Sequence, residues 1–261
     1  MDEYLQFAKQ LAKRAGEVML EHFQIGLEVN KDNTTPVTIA DTTINHFVVE
    51  AVKEKYPDHA VIGEEENYPV AGAKYVWVCD PIDGTLPYSM GLPTNVFSLA
   101  LVDTADGQPV VAVVLDPYLK RLFWATKGGG AFVNGTPLHV SDADSLEDVV
   151  VASSGLRSRV VRSVPLKAAL IGMCYRPLSL NCVLYEGMLL AAGQIGAQVF
   201  VGPGAYDAVT AKLIVEEAGG KVTSLFGEEQ RYDQEIKGII MSNGHPNIHD
   251  PLVALAKSFA L

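Results

Sequence analysis

The chain has 261 residues, 48% of them hydrophobic, and a formal charge of −11 at pH 7, which is enough apolar material for a large globular core. The acidic balance, with no Lys/Arg cluster to offset it, excludes general binding to nucleic acid or to anionic membranes. Three scattered cysteines, Cys79, Cys174 and Cys182, make no Cys-x-x-Cys pair and read as buried thiols of a reducing compartment.

The first residues, Met1 to Tyr4, carry no basic stretch followed by an apolar one. No apolar run reaches membrane-spanning length, so a cytoplasmic location is expected. Leu5, Ala8, Leu11, Ala12, Ala15, Val18 and Met19 recur at helical spacing and predict an amphipathic helix from about Tyr4 to Phe23. The polar segment from Lys31 through Pro36 to Thr38 suits a mobile lid as well as a plain connection. A second helix opens at Thr38-Ile39-Ala40-Asp41 and closes at Pro57. Asp41 stands at its start, where capping is the ordinary role.

Ala60-Val61-Ile62 reads as a short strand ending in Gly63-Glu64-Glu65-Glu66, and Tyr75 to Cys79 as a buried strand ending in Asp80-Pro81-Ile82-Asp83-Gly84-Thr85. If the two strands are neighbours, their C-terminal ends bring Glu64 towards Asp80. Asp80 and Asp83, stiffened by Pro81, face one point and offer hard oxygen donors to a hard cation, although Asp-Pro-x-Asp-Gly is also ordinary turn chemistry. A calcium loop fails on spacing, because the twelfth position from Asp80 is Gly91 rather than a bidentate Glu. Thr85 is expected to cap a helix with Pro87 in its first turn, leaving N–H groups that suit phosphate. In so acidic a site an anionic substrate needs a metal.

Val96 to Val102 and Val110 to Leu115 predict strands joined by a turn at Thr104 to Gly107, and Leu122 to Ala125 and Ala131 to Val133 continue the meander. Asn134-Gly135 marks a tight hairpin. The triplet Gly128-Gly129-Gly130 lacks the Gly-Lys-Ser/Thr ending of a nucleotide loop. Residues 1–148 thus read as a helix pair against an antiparallel sheet. In residues 149–261, Val149 to Ala152, Ile195 to Val201 and Ile236 to Met241 predict strands. Val183 to Ala192, Asp207 to Ala218 and Asn247 to Leu261 predict helices, with Asp207 at the start of its helix. The six histidines show no zinc-ligand spacing, and the chain has no internal repeat.

Gly63-Glu64-Glu65, Asp80-Pro81-Ile82-Asp83-Gly84-Thr85 and Tyr206-Asp207 with Glu217-Ala218-Gly219-Gly220 resemble, in order and spacing, the signature segments of the inositol monophosphatase family. The resemblance spans nearly the whole chain. It implies one catalytic unit with a layered α/β/α/β/α fold, a homodimer, sensitivity to lithium, and hydrolysis of a small phosphate monoester with two or three Mg²⁺ ions. By position, Glu64, Asp80 and the Ile82 carbonyl would hold one ion, and Asp80, Asp83 and Asp207 a second. Attack by a metal-activated water is expected, with Glu64, Asp41 and Thr85 as the catalytic set and Asp83, Gly84 and Thr85 at the phosphate.

The departures from the family pattern fall in the substrate pocket, assigned to Phe200, Val183 and Tyr206. Phe200 replaces the acid that stands seven residues before the last metal-binding Asp in members acting on inositol phosphates. Asn181-Cys182-Val183-Leu184 replaces a small-residue segment, and Tyr206 a Trp. Inositol monophosphate is the default substrate. Histidinol phosphate, sugar bisphosphates and 3′-phosphoadenosine nucleotides are the alternatives, and Arg157, Arg159, Arg162 and Arg176 serve either a second anionic group or a solvated face. A catalytically silent metal-dependent binding protein is the reading from another class.

Overall fold

The computed structural model describes residues 1–23, 37–155 and 157–259, without the side chains of residues 155 and 157–163. Most of the expected lid, residues 31–36, and the side chains of Arg157, Arg159 and Arg162 lie outside that description. Two helices come first, α1 (Asp2–His22) and α2 (Ile39–Lys55). A seven-stranded sheet follows: β1 (Ala60–Gly63), β2 (Tyr75–Asp83), β3 (Val96–Asp103), β4 (Gln108–Asp116), β5 (Arg121–Thr126), β6 (Gly130–Val133) and β7 (Thr136–Pro137). Its strands lie in sequence order. β1 and β2 run parallel, and the rest is an antiparallel meander. Asn134 and Gly135 both have positive φ, 49° and 88°, the requirement of a two-residue primed hairpin turn.

The second half holds β8 (Val150–Gly155), α4 (Arg157–Ile171), β9 (Arg176–Leu178), α5 (Val183–Ala191) and β10 (Ala197–Val201), after a five-residue helix α3 (Thr85–Ser89) placed between β2 and β3. Then come α6 (Val209–Glu217), β11 (Lys221–Ser224), β12 (Ile239–Ser242) and α7 (Pro246–Ser258). The five strands order as β11-β12-β10-β8-β9 in a mixed sheet. β9 and β11 are additions to the expected strands. Each is three or four residues long, too short for a period-2 pattern to stand out.

Three apolar cores fix the layering. α1 and α2 cover one face of the first sheet, through Ala8, Leu11, Ile44 and Val48 against Trp77, Leu99 and Val113. α5 and α6 fill the space between the two sheets, where the largest core joins residues of both. α4 and α7 close the outer face of the second sheet. This is the α/β/α/β/α sandwich. No helix among the described residues is long and apolar enough to cross a membrane. The glycine triplet binds an anion after all, but an internal one: Gly128 and Gly130 donate N–H bonds of 2.6 and 2.8 Å to Glu217 at the end of α6, tying that helix to the first sheet.

Candidate active site

The parallel pairing of β1 with β2 sets Gly63 beside Cys79, and the Glu64 N–H reaches the Cys79 carbonyl at 3.3 Å. Glu64 is thereby brought next to Asp80, as neighbouring strand ends require. The Asp-Pro-x-Asp segment is not a turn after the strand. β2 runs on through Asp83 with an irregularity that pairs Asp80 with Ser98 and Asp83 with Val96, so three steps on β2 oppose two on β3. In an unbroken strand, residues three apart point to opposite faces. The extra residue is a bulge that turns Asp83 to the side of Asp80.

Asp207 completes the group. One carboxylate oxygen from each of Asp80, Asp83 and Asp207 lies within 4.8 Å of the other two, and α6 begins two residues after Asp207 with Ala208 as its N-cap and no capping side chain. Asp207 is therefore no helix cap. Burial, followed by the charge of Asp83, pushes the Asp207 carboxyl well up. Burial and then Glu64 do the same to Asp80; burial and then Asp207 do it to Glu64. Among the described residues no Lys or Arg forms an ion pair with any of them. Asp80 Oδ1 is buried with no hydrogen-bond partner. Uncompensated carboxylates of this kind, with Asp80 and Asp83 buried and Glu64 and Asp207 half-buried, are what a hard cation neutralises, so the donor set fits magnesium.

Asp83 has a second set of partners. Val183 N–H and Leu184 N–H, the first turn of α5, donate to its two oxygens at 3.2 and 2.5 Å, and the Cys182 thiol donates at 2.9 Å. Asp83 thus caps a helix a hundred residues away. Burial raises its pKa, these bonds lower it, and it comes to about 6. Cys182 and Leu184 are additions to the expected site. The available signal is a helix start, Cys182-Val183-Leu184, whose N-cap side chain accepts none of the helix N–H groups, so these need an acceptor from elsewhere.

Thr85 is the first residue of α3 rather than its cap, which is Gly84 at φ 87°. A Cβ at Gly84 would press on Cys182 and the Thr94 carbonyl, so this corner needs glycine twice over. Thr85 Oγ1 lies 3.1 Å from the Ile82 carbonyl and 3.4 Å from Asp41 Oδ1. Asp41 is also a genuine cap: Thr38 gives its Oδ2 an N–H bond of 2.8 Å and a hydroxyl bond of 2.5 Å, completing a capping box. Burial, outweighing those bonds, pushes the Asp41 carboxyl up to about 7.

The pocket residues divide. Tyr206 is half-buried, and after burial the charges of Glu64 and Asp207 raise its phenol. Phe200 and Val183 are buried in the core between the sheets rather than standing as open walls. An apolar ring at the position of an acid gains more by turning inward than by facing water. Arg176 is exposed and donates to the Tyr175 carbonyl at 3.0 Å.

The pattern described as the inositol monophosphatase family matches residues 1–259. An Aquifex aeolicus protein named fructose-1,6-bisphosphatase/inositol-1-monophosphatase is 30% identical over 272 residues, covering 99% of this chain and 97% of its own. A Chlorobaculum parvum protein named histidinol-phosphatase is 31% identical over 251 residues, 92% of each chain. The structure of a Thermotoga maritima IMPase superposes with a TM-score of 0.87 at 30% identity, covering 100% of this chain and 98% of that one. With two of the three signature segments meeting in one acidic cluster inside that fold, the chain belongs to the inositol monophosphatase family.

Proposed function

We propose that this phosphoric monoester hydrolase acts on a small phosphorylated metabolite with magnesium held by Glu64, Asp80, the Ile82 carbonyl, Asp83 and Asp207, as a cytoplasmic homodimer. The supporting observation is the Asp80–Asp83–Asp207 cluster with Asp80 Oδ1 buried and unbonded. When bound, the metal supplies Lewis acidity, offsetting phosphate charge and acidifying water. The Ile82 carbonyl has two lone pairs, one for the metal and one facing Thr85 Oγ1 at 3.1 Å, which turns its one proton either there or to Asp41.

The protein's own groups handle position and protons. The Gly84 and Thr85 N–H groups, aimed by the left-handed Gly84, donate to the phosphate, and Asp83, fixed by the start of α5, would meet it only through the metal that it holds. Thr85 takes a proton from the attacking water and passes its own to Asp41, whose pKa of about 7 suits a base working near neutrality. Water attacks phosphorus in line. The bond to the ester oxygen breaks with its electron pair on the departing alkoxide, which takes a proton from solvent.

Inositol monophosphate is the default substrate on family grounds. The inward-turned Phe200 favours a second reading, histidinol phosphate, because a pocket without the acid pays no penalty for a substrate that lacks matching ring hydroxyls. Phosphate release from inositol 1-phosphate, histidinol phosphate, a sugar bisphosphate and a 3′-phosphoadenosine nucleotide decides between them. We expect release from at least one ester, abolished by EDTA and restored by Mg²⁺. Rapid turnover of another ester with none of inositol 1-phosphate rejects the default, and no release across the panel rejects the proposal.

A further inference from the structure

Glu64 lies in a loop, not in a strand, and a loop carboxylate binds a cation well only if its backbone is already in place. The loop from Gly63 to Tyr68 is pinned at its ends by the Val61–Tyr68 bridge, with N–H bonds of 2.8 and 2.9 Å. Gly63 N–H donates to Asn67 Oδ1 at 3.1 Å. The stretch that follows Glu64 is met by two side chains of α2: His46 Nδ1 lies 3.0 Å from the exposed Glu66 carboxylate, while a single side chain holds the backbone.

That side chain is Asn45 on α2, fully buried. Its Oδ1 accepts the N–H of Glu65 at 2.9 Å and of Glu66 at 3.2 Å, and its Nδ2 donates to the Glu66 carbonyl at 2.9 Å. Three backbone groups of the loop are thus satisfied by one amide. A Cβ at Gly63 would collide with both polar atoms of Asn45 and with the Glu66 carbonyl, so the loop closes on the amide without slack. Asn45 stands four residues after Asp41, one turn along the same face of α2. One helix therefore places Asp41 against Thr85 and, through Asn45, places Glu64.

We propose that Asn45 is the positioning residue of the Glu64 loop, so that magnesium affinity depends on a side chain that touches neither metal nor substrate. The inference rests on Glu64 as a metal ligand. Mg²⁺ is titrated calorimetrically into the full-length protein and into Glu64→Gln, Asn45→Ala, Asn45→Ser and Asn45→Asp, with melting in EDTA measured alongside. Asn45→Ala and the milder Asn45→Ser, whose hydroxyl is too short to span the loop, should weaken Mg²⁺ binding about 10–100-fold. They should raise the Mg²⁺ needed for half-maximal turnover, yet keep the substrate KM and approach wild-type kcat when metal saturates. Asn45→Asp keeps an oxygen facing both N–H groups but sets its other oxygen against the Glu66 carbonyl, so it should recover only part of the affinity. A purely structural role lowers the EDTA melting midpoint while the folded variant binds Mg²⁺ as tightly as wild type, and that result overturns the proposal. Should Asn45→Ala fail to fold, the Mg²⁺ affinity of Asn45→Ser decides the matter in its place. If Glu64→Gln also leaves affinity unchanged, the metal role of Glu64 falls and the inference with it; loss in Glu64→Gln but in neither the Ala nor the Ser variant overturns the role of Asn45 alone.

Discussion

Two buried polar clusters in this molecule have opposite characters. At the end of the first sheet, Asp80, Asp83 and Asp207 crowd together with Asp80 Oδ1 unbonded, and Asp207 accepts no hydrogen bond among the described residues. In the second sheet, His249 on α7 is as buried as Asp80 and Asp83 and more so than the half-buried Asp207, but its Nε2 meets Thr223 Oγ1 at 3.0 Å and its Nδ1 meets Ser242 Oγ at 2.9 Å. The Thr223 hydroxyl already donates to the Ser224 carbonyl, so Nε2 carries the ring proton and Nδ1 accepts from Ser242. That network closes completely. Neither burial nor one unpaired atom marks a site by itself, since Gln198 Oε1, Thr210 Oγ1 and the Tyr232 hydroxyl are also buried without a partner in the scaffold; several carboxylates meeting at one point without a countercharge do, because a fold that leaves such a cost standing holds it for a ligand.

The largest test of that distinction is Asp207→Asn. A lost ligand worth several kcal/mol in the transition state should lower kcat about a thousandfold. Removing one charge from a mutually repelling cluster should leave the melting midpoint in EDTA equal to or above wild type. A variant that loses stability in EDTA would show Asp207 to be part of the scaffold and erase the contrast with His249.

Asp41 belongs to both kinds of cluster, since it is satisfied by Thr38 and still reaches Thr85. Asp41→Ala should therefore cost both quantities: about a hundredfold in kcat for the lost base and about 1 kcal/mol in stability for the lost capping box. Thr38→Ala separates them, because it should give a similar stability loss with only a few-fold change in kcat. Equal catalytic losses in the two variants would reduce Asp41 to a cap.

Local chemistry makes much of this legible in the sequence. Asn134-Gly135 specifies its turn by backbone sterics alone, and Thr38 with Asp41 specifies a capping box within four residues. Glu64 beside Asp80 follows once two short strands are neighbours. What stays hidden is long-range or a matter of register. Asp83 accepts from α5 across a separation of one hundred residues, and nothing local marks Asn45 as the partner of a loop twenty residues on. The bulge between Asp80 and Asp83 depends on the register of β3, so Pro81 alone suggests a turn. Phe200 shows the remaining limit: its sequence position places it by the pocket, while its transfer free energy takes the ring into the core.

The smallest expected effect tests the satisfied cluster. Burial, the first cause, and then the charge of Lys221 hold the His249 imidazole down at about 4, against a weaker upward pull from Asp250. The unfolded chain binds a proton on this ring from about pH 6.5 downward, whereas the folded chain does so only near 4. Between those values the unfolded state carries more protons, so stability rises with pH. The contribution, about 3–4 kcal/mol at most, is complete above pH 6.5 and is lost as pH falls through 4. His249→Asn removes the titration. The unfolding free energy of wild type minus variant, measured by urea denaturation in EDTA from pH 4 to 7, should therefore fall by up to about 1.4 kcal/mol per pH unit on acidification. Taking the difference cancels the carboxylates of the other cluster, which act in both proteins and with the opposite sign: a carboxyl whose folded pKa is raised stabilises the fold at low pH and loses that contribution as pH rises. A flat difference would mean that His249 is protonated in the folded protein, with its hydroxyl partners reoriented, and the second cluster would then be as unsatisfied as the first.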